Sequence, residues 1–234
     1  MPVNIYLIPL PLFPGNLASL PADVWTYTRT LSHYIVENIR TARRFLRELH
    51  PDLPIDPIQW CEIDHKKEEE ALSTLKKWVA EGHSIGIMSE AGCPAIADPG
   101  SIIVAAAHKL QCQIVPLSGP SALLMALMAS GLNGQSFAFA GYLPVKEPAL
   151  QQRIKELETL SLKYNQTQMC IETPYRTQAL AQALCRHLQP GTLLCIAQNI
   201  SAPNALITTK AVQQWQTNPP QLDKLPTVFL WLKA

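Results

Sequence analysis

Short apolar runs alternate with longer stretches of helical period along the whole chain, and most runs end at glycine, proline or serine. Apolar runs of about four to eight residues with such boundaries are typical of buried strands. We predict strands at residues 4–10, 31–36, 84–88, 113–117, 137–142, 168–172, 193–197 and 227–232. Because helical stretches separate these runs, the strands need crossover connections. The pattern therefore predicts an α/β fold with mixed or mostly parallel sheets flanked by helices.

The intervening stretches carry apolar residues at helical spacing. Residues 64–81 show such a stripe, with Asp64 placed to cap the helix and Gly82 to close it. Residues 123–129 are apolar on every face, which predicts a buried helix. Further helices are predicted at 149–162 and 177–188. The Ser-Gly-Pro turn near 117–120 predicts two domains, an N-terminal α/β domain at 1–117 and a C-terminal α/β domain at 118–234.

Composition narrows the function classes. The chain has 234 residues, of which 47% are hydrophobic, and a formal net charge of +1, so attraction to a polyanion must come from a local patch. No basic and apolar leader opens the sequence, and no apolar run approaches the roughly 20 residues that span a bilayer. We expect a cytoplasmic protein. The six cysteines form no C-x-x-C pair and histidines show no metal-ligand spacing, so we expect no metal site.

Three bends follow predicted strands, where ligands bind in open parallel sheets. Residues 89–100 combine small residues with the carboxylates of Glu90 and Asp98, and small side chains let a ligand approach the backbone. The alternative is an ordinary turn into a helix that starts near Pro99. At 118–122, Ser118 is placed to cap a helix and Pro120 to lie in its first turn, so that unpaired N–H groups could face a ligand. The alternative there is a capped core helix.

The third bend, 172–176, concentrates a carboxylate, a phenol and a guanidinium in Glu172, Tyr175 and Arg176. The alternative is a helix N-terminus with a solvated Arg176. None of the three bends is a standard nucleotide or nucleophile motif, because G-x-x-x-x-G-K-[ST], G-x-G-x-x-G and G-x-S-x-G are all absent from the sequence.

In this order, the stretches 89–100, 115–122, 129–132, 137–144 and 172–176 resemble the tetrapyrrole methylase superfamily, the class III methyltransferases that use S-adenosylmethionine. Within it they are most similar to the small-subunit ribosomal RNA (cytidine-2′-O-) methyltransferase subfamily. The resemblance covers the chain from Tyr6 to about Trp215. It implies a kinked two-domain homodimer that holds S-adenosylmethionine in a cleft between the domains, largely through backbone groups. The product would be S-adenosylhomocysteine, and no metal would be needed.

Carried onto this chain, the resemblance implies a set of donor contacts. These are Leu10, Ser89, Glu90, Ala91, Gly92, Ile96, Ser121 and Ala122, followed by Ile171, Ile200 and Thr227. Three departures concern acidic residues. At 9–20, the family's T-P-I-G-N-L-E-D-I loop has an altered start and lacks its acidic pair. At 37–41, the family's E-D-T-R-T segment becomes E-N-I-R-T. Near 202–204, a late acidic pair of the family is missing. A donor site built from backbone survives such changes, whereas an acceptor site need not.

A basic stripe gives information about the acceptor of the methyl group that does not depend on the family resemblance. If residues 36–49 are helical, four arginines at positions i, i+3, i+4 and i+7 share one face of the helix. They are Arg40, Arg43, Arg44 and Arg47. We expect His50 to extend the stripe and His65, Lys66 and Lys67 to lie close to it in the fold. Contacts with RNA phosphates would give a salt-dependent affinity. The alternative is a solvated helix face.

Methyl transfer to a ribose hydroxyl needs alignment of donor and acceptor, and a base for the hydroxyl proton. Glu172 and Glu37 are the candidate bases, and Arg40 or Arg176 could position a phosphate. The leading hypothesis is an RNA ribose methyltransferase. The alternatives are a methyltransferase of the same fold for a small molecule such as a tetrapyrrole, and a non-catalytic protein that binds the donor or its product.

Overall fold

The computed structural model describes residues 3–64 and 66–233. Contacts divide the chain into two compact units, Met1–Ser121 and Ala122–Ala234. The strands of the first unit are β1 Asn4–Leu7, β2 His33–Val36, β3 Gln59–Glu62, β4 Ile85–Met88 and β5 Gln113–Pro116. Its helices are α1 Ala22–Thr30, α2 Ile39–Leu49, α3 Glu68–Ala80 and α4 Ser101–Lys109.

The second unit carries the remaining elements. Its strands are β6 Phe137–Tyr142, β7 Thr167–Glu172, β8 Leu193–Gln198, β9 Leu206–Ala211 and β10 Thr227–Leu232. Its helices are α5 Ala122–Ser130, α6 Ala149–Tyr164, α7 Thr177–His187 and α8 Val212–Thr217.

The sheet of the first unit is parallel throughout, in the order β3-β2-β4-β1-β5. Alternate side chains of one strand enter different cores: Tyr34 and Val36 join the cluster that contains Phe45 of α2, whereas Ile35 joins the cluster that contains Leu75 of α3. Helices therefore cover both faces of a buried sheet. Because every strand runs the same way, all carboxyl ends meet at one edge, where a site is expected.

The sheet of the second unit is mixed, in the order β6-β7-β10-β8-β9. Only β6 and β7 pair in parallel, and the pairs of β10 with β7, β10 with β8 and β8 with β9 are antiparallel. A core that includes Phe229 and Trp231 of β10 packs this sheet against α6, α7 and α8. The α/β class and the mixed or mostly parallel sheets predicted from the sequence are confirmed.

The predicted strands at 137–142 and 227–232 match β6 and β10 residue for residue. The sequence pattern missed β3, β9, α1 and α8, whose residues carry no long apolar run. The start of α3 was also predicted wrongly. Asp64 caps no helix, because its Oδ1 accepts the N–H groups of Lys66 (2.6 Å) and Lys67 (3.0 Å) in a turn ahead of α3. Gly82 does close α3, at a φ of +82°.

The all-apolar segment was predicted to be a buried helix, and this is wrong for α5. Ala126 and Leu127 are buried, but Leu124 is 52% exposed and Met128 is 83% exposed. A helix that is apolar all round carries no periodic signal of which face packs, so the sequence could not distinguish the buried face from the exposed one. The predicted place of Pro120 in the first helical turn is also wrong, because α5 begins at Ala122.

Candidate functional site

The bends that follow β1 and β4 are joined at the carboxyl edge of the first sheet. Leu10 donates its N–H to the carbonyl of Gly92 (2.9 Å), and Gly92 donates in return to Leu10 (3.0 Å). Gly92 has a φ of +71°, and a Cβ there would lie 3.1 Å from Cδ2 of Leu12. Glycine at this position therefore allows both the left-handed backbone conformation and the close approach of the residues that follow β1.

The bend that follows β5 packs against the same place. Cys93 lies with its Sγ 3.5 Å from the carbonyl oxygen of Pro120. A Cβ on Gly119 would stand 2.2 Å from Cβ and 2.3 Å from Cγ of Pro9, so only glycine fits. The structure thus brings together Leu10, the 89–100 segment and the 118–121 segment, which the sequence predicted separately. Ser121 ends the first unit and Ala122 begins the second.

The 89–100 segment, which we call the β4 loop, is held in an unusual conformation. Ala95 and Ala97 have positive φ values of 66° and 63°, which cost free energy for residues other than glycine. Asp98 holds this backbone, because its Oδ1 accepts the N–H groups of Ala95 (2.9 Å) and Gly100 (2.7 Å). Ile96 between them is 50% exposed. The strained loop therefore presents an apolar residue, Ile96, to the surroundings.

Burial raises the pKa of the Asp98 carboxyl, against the lowering effect of the hydrogen bonds from the backbone. Its second oxygen, Oδ2, is buried without a hydrogen-bond partner among the described residues. The carboxyl therefore organises the β4 loop at a cost in desolvation. The hydroxyl of Ser89, at the start of the loop, donates to the carbonyl of Ala91 (3.1 Å) and fixes the turn there.

The end of β2 contributes the acidic candidate Glu37. Its Oε2 accepts the N–H of Glu90 (3.1 Å), and the hydroxyl of Thr41 lies 3.4 Å from Oε1 of Glu90. Asn38 occupies the position of a lost family acid, and its side chain accepts the N–H of Thr41 (3.1 Å) as the N-cap of α2. The departure from the family pattern therefore preserves the helix start.

A small cavity of about 100 Å³ opens where α2 meets these bends. It is lined by Leu10, Pro11, Leu12, Pro14, Gly15, Thr41, Arg44, Phe45, Glu48, Glu90 and Ala91. Three of these, Leu10, Glu90 and Ala91, are predicted donor contacts. Phe45 and Glu48 are not among the residues predicted from the sequence, although the i, i+4 spacing of Arg44 and Glu48 places both on one face of α2.

The predicted basic stripe forms beside this cavity. Ile39, Arg40, Arg43, Arg44, Arg47 and Glu48 line an open depression of about 750 Å³. Arg43 is paired with Asp56 (3.0 Å), whereas Arg40, Arg44 and Arg47 are exposed and have no acidic partner within 4.0 Å in the described part of the chain. Three of the four guanidiniums are therefore available to an anion.

The predicted extension of the stripe is wrong at His50. This ring is buried, its Nε2 lies 2.9 Å from the Thr28 hydroxyl, and burial lowers its pKa. It is therefore a neutral group of the core. Lys67 pairs with Glu62 (3.5 Å), Lys66 is exposed, and His65 lies outside the described residues.

The third predicted bend lies in the second unit, at the end of β7. The Glu172 carboxylate is fully buried, with Oε2 3.0 Å from Nη1 of Arg176 and Oε1 2.7 Å from the Thr173 N–H. Arg176 also donates to the carbonyl of Pro144 (3.4 Å), so it is not the solvated side chain of the alternative reading. Tyr175 is 86% exposed.

The predicted donor contacts of the second unit are partly gathered at the same end of its sheet. Thr227 stands between Glu172 and Gln198 in the register of β7, β10 and β8, and its hydroxyl accepts from the Gln198 amide (2.9 Å). Ile171 is half-buried opposite Val228. Ile200 is buried just beyond β8.

Residues 21–214 match the family described as Tetrapyrrole (Corrin/Porphyrin) Methylases. The chain belongs to this family. Tetrapyrrole methylase membership agrees with the resemblance carried by the β4 loop and with both sheets. Among the described residues there is no group of three or more histidine, cysteine or acidic side chains that could hold a metal, and no helix long and apolar enough to cross a membrane.

Several similar curated proteins share one name. Proteins named ribosomal RNA small subunit methyltransferase I from Vibrio cholerae and Xylella fastidiosa are 30% and 31% identical to this methylase over 79% and 67% of its chain. A Bacillus subtilis protein of the same name is 29% identical over 79% of the chain. The chain covers 58%, 55% and 59% of these relatives, a little over half their length.

Solved structures agree with the fold. The methyltransferase CobJ matches with a TM-score of 0.62 at 18% identity, over 99% of this chain and 94% of that one. Uroporphyrin-III C-methyltransferase from Thermus thermophilus, complexed with S-adenyl homocysteine, matches with a TM-score of 0.55 at 16% identity, over 98% of this chain and 97% of that one.

Proposed function

We propose that this tetrapyrrole methylase is an S-adenosylmethionine-dependent methyltransferase that 2′-O-methylates a ribose in ribosomal RNA. The observation that carries the proposal is the paired backbone of Leu10 and Gly92 beside an arginine-lined surface. The names of the curated relatives support the RNA substrate, and the S-adenyl homocysteine in the Thermus structure supports the donor.

The donor supplies an activated methyl group on a sulfonium. The β4 loop suits it because Gly92 keeps the bend free of side-chain atoms and Asp98 fixes the main chain before any ligand arrives. Such preorganisation lowers the entropic cost of binding. We assign donor contacts in the first unit to Leu10, the 89–92 turn, Ile96 and Ser121, and in the second to Ala122, Ile171, Ile200 and Thr227.

For the acceptor, Glu37 is the better of the two candidate bases. It is half-buried beside Glu90 at the carboxyl edge of the first sheet, whereas the Glu172 carboxylate has no exposed surface and faces Arg176. Glu37 would accept the proton of the 2′-hydroxyl as the oxygen takes the methyl group. Arg40 and its neighbours on α2 would hold phosphates, whereas Arg176 is already paired with Glu172.

The proposal includes a cytoplasmic location and a homodimer, both expected for an enzyme of this family that acts on ribosomal RNA. Light scattering of the purified chain tests the dimer. A small-molecule acceptor is the second candidate, favoured by the solved tetrapyrrole methyltransferases that share the fold.

The decisive experiment incubates the purified protein with methyl-labelled S-adenosylmethionine and small-subunit ribosomal RNA. A ribose methylated at O2′ resists alkaline cleavage, so transfer to RNA should appear as one protected linkage. Label transferred to uroporphyrinogen III and not to RNA would favour the tetrapyrrole alternative. Binding of the donor without transfer to either acceptor would favour the non-catalytic alternative.

The arginine surface has its own test. Replacing Arg40, Arg44 and Arg47 with alanine should weaken RNA binding and lower its salt slope by about 2 to 3, because each phosphate contact contributes nearly one to a duplex slope and somewhat less to a single strand. Arg153→Ala is a matched control, since Arg153 is already paired with Glu156 on α6 (2.7 Å). An unchanged slope in the triple variant would contradict RNA binding by this surface.

A further inference from the structure

The carboxyl ends of β6 and β7 expose large side chains that the assigned donor and phosphate contacts do not include. Tyr142 ends β6, Val145 follows in the next loop, and Tyr175 lies in the bend after β7. They are 56%, 65% and 86% exposed, and we call them the tyrosine surface. Grouped apolar side chains at a protein surface mark an interaction site more often than isolated ones do.

The two segments that carry the tyrosine surface lie side by side. Tyr142 is paired with Ile171 in the parallel register of β6 and β7, so both strands end at the same edge of the second sheet. Arg176 donates to the carbonyl of Pro144 (3.4 Å) and thereby joins the bend after β7 to the loop after β6. The tyrosine surface therefore belongs to one edge of the second unit.

An irregularity in β6 accompanies the exposure of Tyr142. The register of β6 and β7 shifts between Phe139 and Tyr142, and Gly141 there has a φ of +69°. In a regular strand, Tyr142 would share the face of Ala140, which packs against the core. The shift breaks this alternation, as bulges beside functional sites do when they re-aim a side chain.

The backbone around Tyr175 is fixed by neighbouring side chains. The buried Glu172 carboxylate accepts the N–H of Thr173 (2.7 Å). The carbonyl of Thr173 then accepts the N–H of Arg176 (3.0 Å) and the hydroxyl of Thr177 (3.0 Å). Because the bend is already ordered, a ligand that meets the ring of Tyr175 has a smaller entropic cost to overcome.

We propose that the tyrosine surface stacks unpaired bases of the RNA substrate. The proposal rests on the proposed function. Aromatic rings bind single-stranded RNA because every base has a π-face, while cations beside them follow the phosphates. Lys146 is exposed next to Val145 and has no acidic partner within 4.0 Å in the described part of the chain. The neighbouring Glu147 is engaged by His187 (2.8 Å), so the free charge at this edge is positive.

The test measures binding of a short single-stranded RNA, and of an abasic oligonucleotide of the same length, by fluorescence anisotropy at several salt concentrations on the full chain. Tyr175→Ala should weaken binding of the RNA about tenfold, within the range for one stacked base. Its salt slope should stay unchanged, because no phosphate contact is lost. The abasic oligonucleotide should bind the variant and wild type equally. Tyr175→Phe keeps the ring and should bind RNA as wild type does.

Tyr164→Ala is the matched control. Tyr164 is also exposed in the second unit, at the end of α6, where Nζ of Lys163 lies 5.0 Å from the centre of its ring. Its removal should leave the affinity for both oligonucleotides unchanged.

Equal RNA affinity of Tyr175→Ala and wild type overturns the tyrosine surface, and so does an equal loss on the abasic oligonucleotide. A lower molecular mass of Tyr175→Ala in light scattering, with unchanged RNA affinity, also overturns it and assigns the surface to a second copy of the chain. In each of these outcomes wild type still binds RNA. Wild type that binds S-adenosylhomocysteine but no RNA is a different failure, because it overturns the RNA substrate of the proposed function itself.

Discussion

The carboxyl edge of the first sheet and the end of β7 in the second unit both concentrate the residues that the sequence singles out, yet they differ in construction. At the first edge, the backbone pair of Leu10 and Gly92 and a strained loop border a cavity. Its lining includes Arg44 and Glu48, neither of which has an ion-pair partner within 4.0 Å among the described residues. At the second, the buried Glu172 carboxylate forms an ion pair with the partly exposed Arg176. The first edge therefore keeps charged groups available to a ligand, whereas at the second edge removal of either partner would leave an uncompensated charge.

The largest effect that would test this comparison is expected at Gly119. In Gly119→Ala the new Cβ would overlap the ring of Pro9, and the backbone must move, which should cost about 3 kcal/mol, at the upper end of overpacking, and abolish binding of S-adenosylhomocysteine. Urea unfolding and calorimetry measure the two effects. Gly134→Ala, with no atom within 4 Å of its Cβ, is the control. Full donor binding by Gly119→Ala would show that the first edge tolerates displacement.

The next effect is expected at the closed charge pair of the second unit. Arg176→Ala leaves the buried Glu172 carboxylate without its cation, which should lower the free energy of unfolding by about 2 to 3 kcal/mol, below the full cost for a wholly buried pair because Arg176 is partly exposed. Adding Glu172→Gln to this variant should recover part of the loss. If Arg176→Ala keeps wild-type stability in urea, the pair does not stabilise the fold.

A smaller and pH-dependent effect is expected at Asp98. Burial raises the pKa of this carboxyl in the folded state above its unfolded value near 4, so the protonated form is favoured by folding. The resulting stability is present below about pH 4 and is lost as the pH rises through the folded pKa. Asp98→Asn, which cannot ionise, should therefore gain stability relative to wild type between acid and neutral pH.

Thermal unfolding at several pH values measures this difference, and a constant difference would contradict the raised pKa.

Asp98→Ala removes the acceptor of the Ala95 and Gly100 N–H groups, so it should weaken binding of S-adenosylhomocysteine about tenfold, equivalent to about 1.4 kcal/mol. Asp98→Asn keeps an oxygen at that position and should retain most of the affinity.

The sequence predicts those features that local chemistry determines. Apolar runs located most strands, and the glycine-rich bends at 89–100 and 118–121 marked an edge whose backbone approaches closely. Features that depend on distant partners were missed or predicted wrongly. Nothing near Arg43 in sequence indicates its pairing with Asp56, and nothing near His50 indicates its burial against Thr28. The exposure of Met128 likewise depends on which face of α5 packs.

The central claim is that the first-unit edge is a preorganised donor site, and calorimetric titration of the full wild-type chain with S-adenosylhomocysteine tests it most directly. We expect saturable binding with micromolar affinity, about −8 kcal/mol, which Asp98→Ala weakens and Arg153→Ala does not change. No heat at millimolar ligand, together with no shift in the unfolding temperature, would contradict the account.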